Sequence, residues 1–265
     1  MTRLLAVLAA LLPAAVAAQT PASPPADCPH PFGLQDNMER VYQLQDAAGK
    51  PSGTIRQRVV SLGTEQNKKK TLTTNTVLLK HGVYDVKNRL QHQQDYTIRC
   101  RQDTTFIDGM VLLDPTALRS FRDRLFAFTP VPIAWPNQPA VGSSLPGGGV
   151  TVQVSSTAVS IATVSALAQN RKITGTETVT TPAGTFQCYK VEGEQSSSTV
   201  ARADLVMRNA VRTVEYYSPE VGIVKAERYD KKGKLAEVQL LTSTGSGSAA
   251  EGRSETKQKI KVKKS

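Results

Sequence analysis

From Met38 onward, apolar and polar residues alternate in short runs broken by turn residues, the period-two signature of strands that bury one face. Met38 to Gln45 and Thr54 to Gly63 flank Asp46-Ala47-Ala48-Gly49-Lys50-Pro51-Ser52-Gly53, which predicts a long hairpin loop. Thr71 to Lys80, Val83 to Leu90 and Gln94 to Arg101 continue the series. In the last, Tyr96, Ile98 and Cys100 alternate with Thr97, Arg99 and Arg101, so an apolar face turns inward and a basic face outward. Strands resume at Val150 to Ser155, Ala158 to Ala168 and Lys172 to Thr180. Pro182-Ala183-Gly184 and Asp230-Lys231-Lys232-Gly233 then read as the turns of two hairpins. Val, Ile, Thr and Tyr at this spacing predict a mainly β fold built as an antiparallel meander.

One segment follows a different period. Asp114 is a good N-cap with Pro115 at the first helical position, and Ala117, Leu118, Phe121, Leu125 and Phe128 then share one helical face. Two uses fit such a helix: an ordinary amphipathic helix packed on a sheet, or a cover over a ligand cavity made by Leu118, Phe121, Leu125 and Phe128. After it, Phe128 to Gly149 is rich in Pro and Gly, contains the single Trp135, and reads as a crossover loop.

The two ends differ from the body. Residues 1–18 combine Arg3, an apolar run from Leu4 to Ala17 and the small residues Val16-Ala17-Ala18, which predicts a signal peptide cleaved near Ala18. The run is shorter than the roughly 20 residues needed to span a bilayer, and no later stretch approaches that length. Residues 19–36 form a Pro-rich leader, 37–242 a single β-rich domain, and 243–265 a Gly/Ser-rich stretch passing into a flexible basic tail. A chain routed out of the cytoplasm, to the periplasm or beyond, meets oxidising conditions. Its three cysteines, Cys28, Cys100 and Cys188, leave three single bridges open. The expected one is Cys28 to Cys100, tying the leader to a strand, with Cys188 left as a buried thiol.

The formal net charge of +11 is partly carried by Arg253, Lys257, Lys259, Lys261, Lys263 and Lys264 in the tail. The rest is moderately basic, which suits attraction to an acidic envelope surface. No aromatic residue interleaves with a basic cluster as a stacking platform for nucleic acid requires. His30, His81 and His92 have no spacing suited to a metal, and His30 and His81 read as solvated loop residues. Asp103, Asp108 and Asp114 lie along one stretch, and Glu192 with Glu194 share a strand face; solvent-facing stripes account for such carboxylates more often than acid–base chemistry does. No metal, nucleotide or nucleophile motif is present, so neither an enzyme nor a cofactor is expected.

Thr181-Pro182-Ala183-Gly184-Thr185-Phe186 with Cys188 and Lys190-Val191, then Tyr216-Tyr217-Ser218-Pro219-Glu220-Val221-Gly222-Ile223-Val224-Lys225 and Tyr229-Asp230-Lys231-Lys232-Gly233-Lys234, resemble a family of exported, uncharacterised envelope proteins. The family is labelled TapB-like or as a domain of unknown function, and the resemblance spans most of Met38 to Thr242. It implies a strongly curved antiparallel half-barrel with one helix against its concave face, similar to the LolA and LolB carriers that move lipoproteins across the periplasm. Its motifs are turn and strand signatures, and no ligand-binding residue of those carriers is matched. Two functions are therefore expected. One is a non-enzymatic binding module for an apolar or lipid-like ligand such as an acyl chain. The other is a structural or interaction protein docking on an acidic surface or partner through the tail and the Arg99/Arg101 face.

Overall fold

The computed structural model describes Cys28 and residues 31–157, 159–202 and 205–246. The predicted signal peptide, nearly all of the Pro-rich leader before Pro31, His30 and the tail beyond Ser246 lie outside the described residues. Fourteen strands follow one another among the described residues: β1 Met38–Asp46, β2 Pro51–Gln66, β3 Thr73–Asp85, β4 Leu90–Arg101, β5 Thr104–Ile107, β6 Leu125–Val131, β7 Ile133–Pro136, β8 Ser144–Leu145, β9 Gly148–Ser155, β10 Ser160–Thr181, β11 Gly184–Arg202, β12 Leu205–Ser218, β13 Gly222–Tyr229 and β14 Leu235–Ser246.

All the pairings are antiparallel and build one strongly curved sheet in the order β6-β9-β10-β11-β12-β13-β14-β1-β2-β3-β4-β5-β7, with β8 beside β10. The first and last strands pair, from Met38 opposite Ser246 to Asp46 opposite Glu237. The two remaining edges are consecutive in the chain. Residues 125–136 run as one extended stretch whose first part pairs with β9 and whose second part pairs with β5. The change of partner falls at Pro132, which has no N–H to give to either neighbour. The sheet is thereby nearly closed into a barrel.

Close backbone approach at this seam requires glycine. A Cβ on Gly109 would lie 2.0 Å from the Gly149 carbonyl oxygen and 2.4 Å from that of Val131. Gly149, at φ +143°, would place a Cβ 2.1 Å from the Ala166 oxygen. The stretch expected to be a crossover loop is thus the closure of the barrel. Trp135, in β7, is 2 % exposed at its centre.

Four hairpins share one turn. An Asp or Asn opens it, and its side-chain oxygen accepts backbone N–H groups further along: Asp46 from Ala48 and Lys50, Asp85 from Lys87 and Arg89, Asp230 from Lys232 and Lys234, and Asn67 from Thr71 and Leu72. A left-handed residue completes each, namely Gly49, Lys70, Asn88 and Gly233. The predicted hairpins at Asp46 and Asp230 are found, the first with a loop shorter than expected. The break predicted at His81-Gly82 is not. There β3 runs straight through, and the chain reverses at Asp85–Arg89.

The predicted helix forms as a 3-10 helix over Pro115–Phe121, with Asp114 as N-cap accepting from the Thr116 amide at 2.8 Å. It stops short of the predicted face. Leu125 and Phe128 belong to β6, 59 % and 44 % exposed, because pairing with β9 captures the backbone there. Strand β14 also continues four residues past Thr242, where Ser243 to Ser246 pair with β1 through their backbone despite having no apolar side chains.

The main core gathers Phe32, Leu34, Leu79, Ile98, Trp135 and Tyr217, with strands from both halves of the chain contributing. A second cluster covers β9 and β10 through Val150, Val152, Val154, Ala162, Val164 and Ala166; a short 3-10 turn at Gly109–Leu112 lays Met110 and Leu112 on it, and the Pro115–Phe121 helix adds Leu118 and Phe121. Cys28 and Cys100 are joined in a disulfide with Cα atoms 5.9 Å apart, and Cys188 is free and buried. Burial pushes the Cys188 thiol up to about 11, which leaves it protonated and unreactive at neutral pH.

Candidate functional site: the barrel cavity

The inner faces of the strands enclose a cavity of about 970 Å³. Its wall includes the exposed turn residues Asp230, Lys231 and Lys232, so it reaches solvent beside the β13–β14 hairpin. Much of the remaining wall is apolar, with Ile98, Ile107, Val111, Leu112, Ile133 and Ile223 among its residues. The size falls within the roughly 300–1,000 Å³ of small-molecule sites.

Two buried cationic groups interrupt this apolar wall. The first comes from strand pairing. Arg40, Gln57 and His81 lie in one cross-strand row over β1, β2 and β3, all facing inward. Arg40 is 2 % exposed and its Nη2 donates to the Phe32 carbonyl, fixing the segment that leads into β1. Burial lowers its pKa and raises those of the neighbouring Tyr42 and Tyr96 hydroxyls. His81 is 7 % exposed, 3.4 Å from the Gln57 amide, and its ring lies tilted against that of Tyr96 with centres 5.6 Å apart. Burial, with a smaller push from His92, lowers it to about 4, so it is neutral at physiological pH. The expectation of a solvated loop histidine is corrected: its strand context turns the side chain inside.

The second group comes from a bulge. Between Gln169 opposite Glu194 and Lys172 opposite Glu192, Asn170 and Arg171 face the single residue Gly193. Asn170 takes a left-handed backbone, at φ +52°, and Arg171 is turned into the barrel. Gly193 makes room for it, since a Cβ there would lie 3.0 Å from the Arg171 Cγ. Arg171 is 2 % exposed and its guanidinium lies 4.3 Å from the centre of the Trp135 ring. Its Nη1 donates to the carbonyls of Ala134 at 3.0 Å and Pro146 at 3.2 Å. Its Nε and Nη2, and the indole Nε1 of Trp135, have no partner among the described residues. Glu215, walled in by protein but facing the cavity, feels the Arg171 charge; burial nonetheless raises its pKa.

None of the predicted ligand-cavity residues lines this cavity. Leu118 and Phe121 pack on the β9–β10 cluster beside it, and Leu125 and Phe128 lie outside it on β6. The neighbouring Val111, Leu112, Leu113 and Asp114 do reach its wall. Asp108 and Asp114 cap 3-10 turns, Asp103 accepts from the Thr104 hydroxyl, and Glu192 pairs with Lys190 and Arg212 at the surface. Arg99 meets Glu65 at 3.6 Å and Arg101 lies over the Phe106 ring, so both are engaged within the barrel's outer face. Sequence reading missed Arg40 and Arg171. Arg40 was detectable as a charge at an inward position of an alternating strand. Arg171 was hidden in Gln169-Asn170-Arg171-Lys172, which looks like a turn.

This architecture defines a class, the nearly closed antiparallel barrel around an interior cavity. Within that class, the chain belongs to the DUF3108-like family, whose model matches residues 37–241. Its fold is similar to that of a candidate exported protein with a YmcC-like fold from Bacteroides fragilis, with a TM-score of 0.60 and 21% identity over 82% of this chain and 100% of the other. It is similar to a candidate lipoprotein from Parabacteroides distasonis as well, with a TM-score of 0.61 and 21% identity over 81% of this chain and 98% of the other. No curated protein matches the chain.

Proposed function

We propose that this protein is an exported, non-enzymatic binding module whose barrel holds an apolar or lipid-like ligand. The observation that carries the reading is the interior cavity of about 970 Å³, largely apolar and open beside the Asp230–Lys232 turn. A barrel that only needed to be stable would fill its centre with side chains, as small barrels do. Export is supported by the signal-like residues 1–18, by a disulfide of the kind that persists in oxidising compartments, and by the description of the B. fragilis protein as exported. Among the candidate acids of the sequence, Asp108 and Asp114 are engaged as caps and Glu192 in surface ion pairs, which supports binding over catalysis.

The test is to purify the protein gently from its native envelope, extract it with solvent, and weigh what accompanies it. A stoichiometric acyl-chain species is expected. An empty extract from folded protein that also takes up no added amphiphile would overturn the reading.

A further inference from the structure

The Arg171 guanidinium is held at one nitrogen and on one face, and its remaining edge is buried without a partner among the described residues. Its Nη1 is occupied by the Ala134 and Pro146 carbonyls, and its face is covered by Trp135. The unpartnered donors are Nε and Nη2. These two N–H groups point along the same edge of the planar guanidinium and form the fork that grips two oxygens of one anion side by side. Leaving such donors buried and unmade is costly, and native proteins rarely tolerate it without a partner. Arg171 is 2 % exposed and belongs to the cavity wall, so the cavity is the side from which a partner beyond the described residues can approach it.

Resting on the reading of the cavity as a lipid-like site, we propose that its ligand is a fatty carboxylate, with the two carboxylate oxygens held by the Nε–H and Nη2–H of Arg171 and the hydrocarbon chain along the apolar wall. The wall residues nearest in kind are Ile107, Val111, Leu112 and Ile133. Trp135 contributes twice: its ring holds the guanidinium plane, and its unpartnered Nε1 is a further donor on the same wall. Glu215 sets the charge of the head group. Its carboxyl faces the cavity and interacts with the Arg171 charge without hydrogen-bonding to it. Whenever Glu215 is ionised, this second carboxylate tolerates a monoanion better than a doubly charged phosphate monoester.

The experiment titrates the delipidated full chain with laurate, methyl laurate, 1-dodecanol and dodecyl phosphate. Laurate is expected to bind at least about tenfold more tightly than its methyl ester or the alcohol, the scale of a charge-assisted hydrogen bond. Arg171→Met should reduce laurate to the level of the ester while leaving the ester within about twofold. Arg171→Lys, which keeps the charge and loses the fork, should lose most of the preference too. The four-ligand series on the unaltered protein stands even where a variant fails to fold. Equal binding of laurate and its ester would overturn this inference while leaving the lipid-site reading intact. Binding of none of the four would overturn both. A laurate preference that survives in folded Arg171→Met would move the anion to another group, and tighter binding of dodecyl phosphate would overturn the choice of a carboxylate.

Discussion

Arg40 and Arg171 are both 2 % exposed inside the same barrel, yet they are held in different ways. Arg40 sits on a regular strand, in a row with Gln57 and His81; its Nη2 fastens the Phe32 backbone, and only its Nε lacks a partner among the described residues. Arg171 sits on a bulge, spends one nitrogen on two carbonyls, and keeps its side-on edge unpartnered. A buried cation whose outer nitrogen ties down a neighbouring segment is part of the framework. One that leaves both donors of its side-on edge, Nε and Nη2, without a partner is the stronger candidate for a site. The contrast separates structure from function in a cavity where residue type alone does not.

The strongest way to test the framework half of that contrast is at the other end of the segment that Arg40 holds. The Cys28–Cys100 bridge closes a span of 72 residues, and Asn75 also donates to the Cys28 carbonyl at 2.7 Å. In the chain-entropy model such a link contributes about 4 kcal/mol. Replacing both cysteines with serine should lower unfolding stability in urea by about that amount without changing laurate preference. A loss below about 1 kcal/mol would show that the leader does not rely on its bridge.

Next in size, Arg40→Ala empties a buried site and strands the Phe32 carbonyl, with an expected loss of 3 to 4 kcal/mol, on the order of other large-to-small core changes. Arg171→Ala should cost less stability, because it removes two unsatisfied donors where Arg40→Ala removes one, while it alone abolishes the preference for anionic ligands. Equal stability losses, or a ligand effect at Arg40 instead, would break the comparison.

The smallest effect sharpens it through pH. His81 has its folded pKa at about 4, below the ordinary 6.5, so the unfolded chain binds the extra proton between those values. The stability that neutral His81 contributes is complete above pH 6.5, is lost progressively as pH falls to about 4, and is constant below. The total is about 3 kcal/mol at most. Denaturant melts at pH 7 and pH 4.5 should show that fall, and His81→Gln should flatten it. An unchanged slope in the variant would assign the acid sensitivity to other groups.

Much of the architecture was legible because it depends on local chemistry. Alternation placed Tyr96, Ile98 and Cys100 inside, and Asp46 and Asp230 announced their hairpins. The segment Thr71 to Leu90 was misread because Gly82 resembles a turn residue, whereas the turn-forming oxygen belongs to Asp85 three residues later. The helix was overextended for a physical reason: residues 125–128 satisfy a helical period and a strand period at once, and the β9 edge decides between them. The cavity was largely illegible. Its buried arginines come from β1 and a bulge of β10, brought together only by closure at Pro132 and by the pairing of β1 with β14. Those are long-range events with no mark in a short window of sequence.

The pairing of Met38 with Ser246 has a consequence for how the molecule comes into being. A ring whose last stave lies against its first cannot be sealed until more than two hundred residues have emerged, so folding is dominated by distant contacts and falls on the slow, millisecond-to-second side. Until β14 arrives, the flanks of β1 and β13 are bare backbone, which invites pairing with other chains. Closure only at the end suits the proposed export, which would deliver the chain as an unfolded thread. A copy interrupted before Leu235 would be left as an open sheet, sticky at both rims and unable to enclose its cavity.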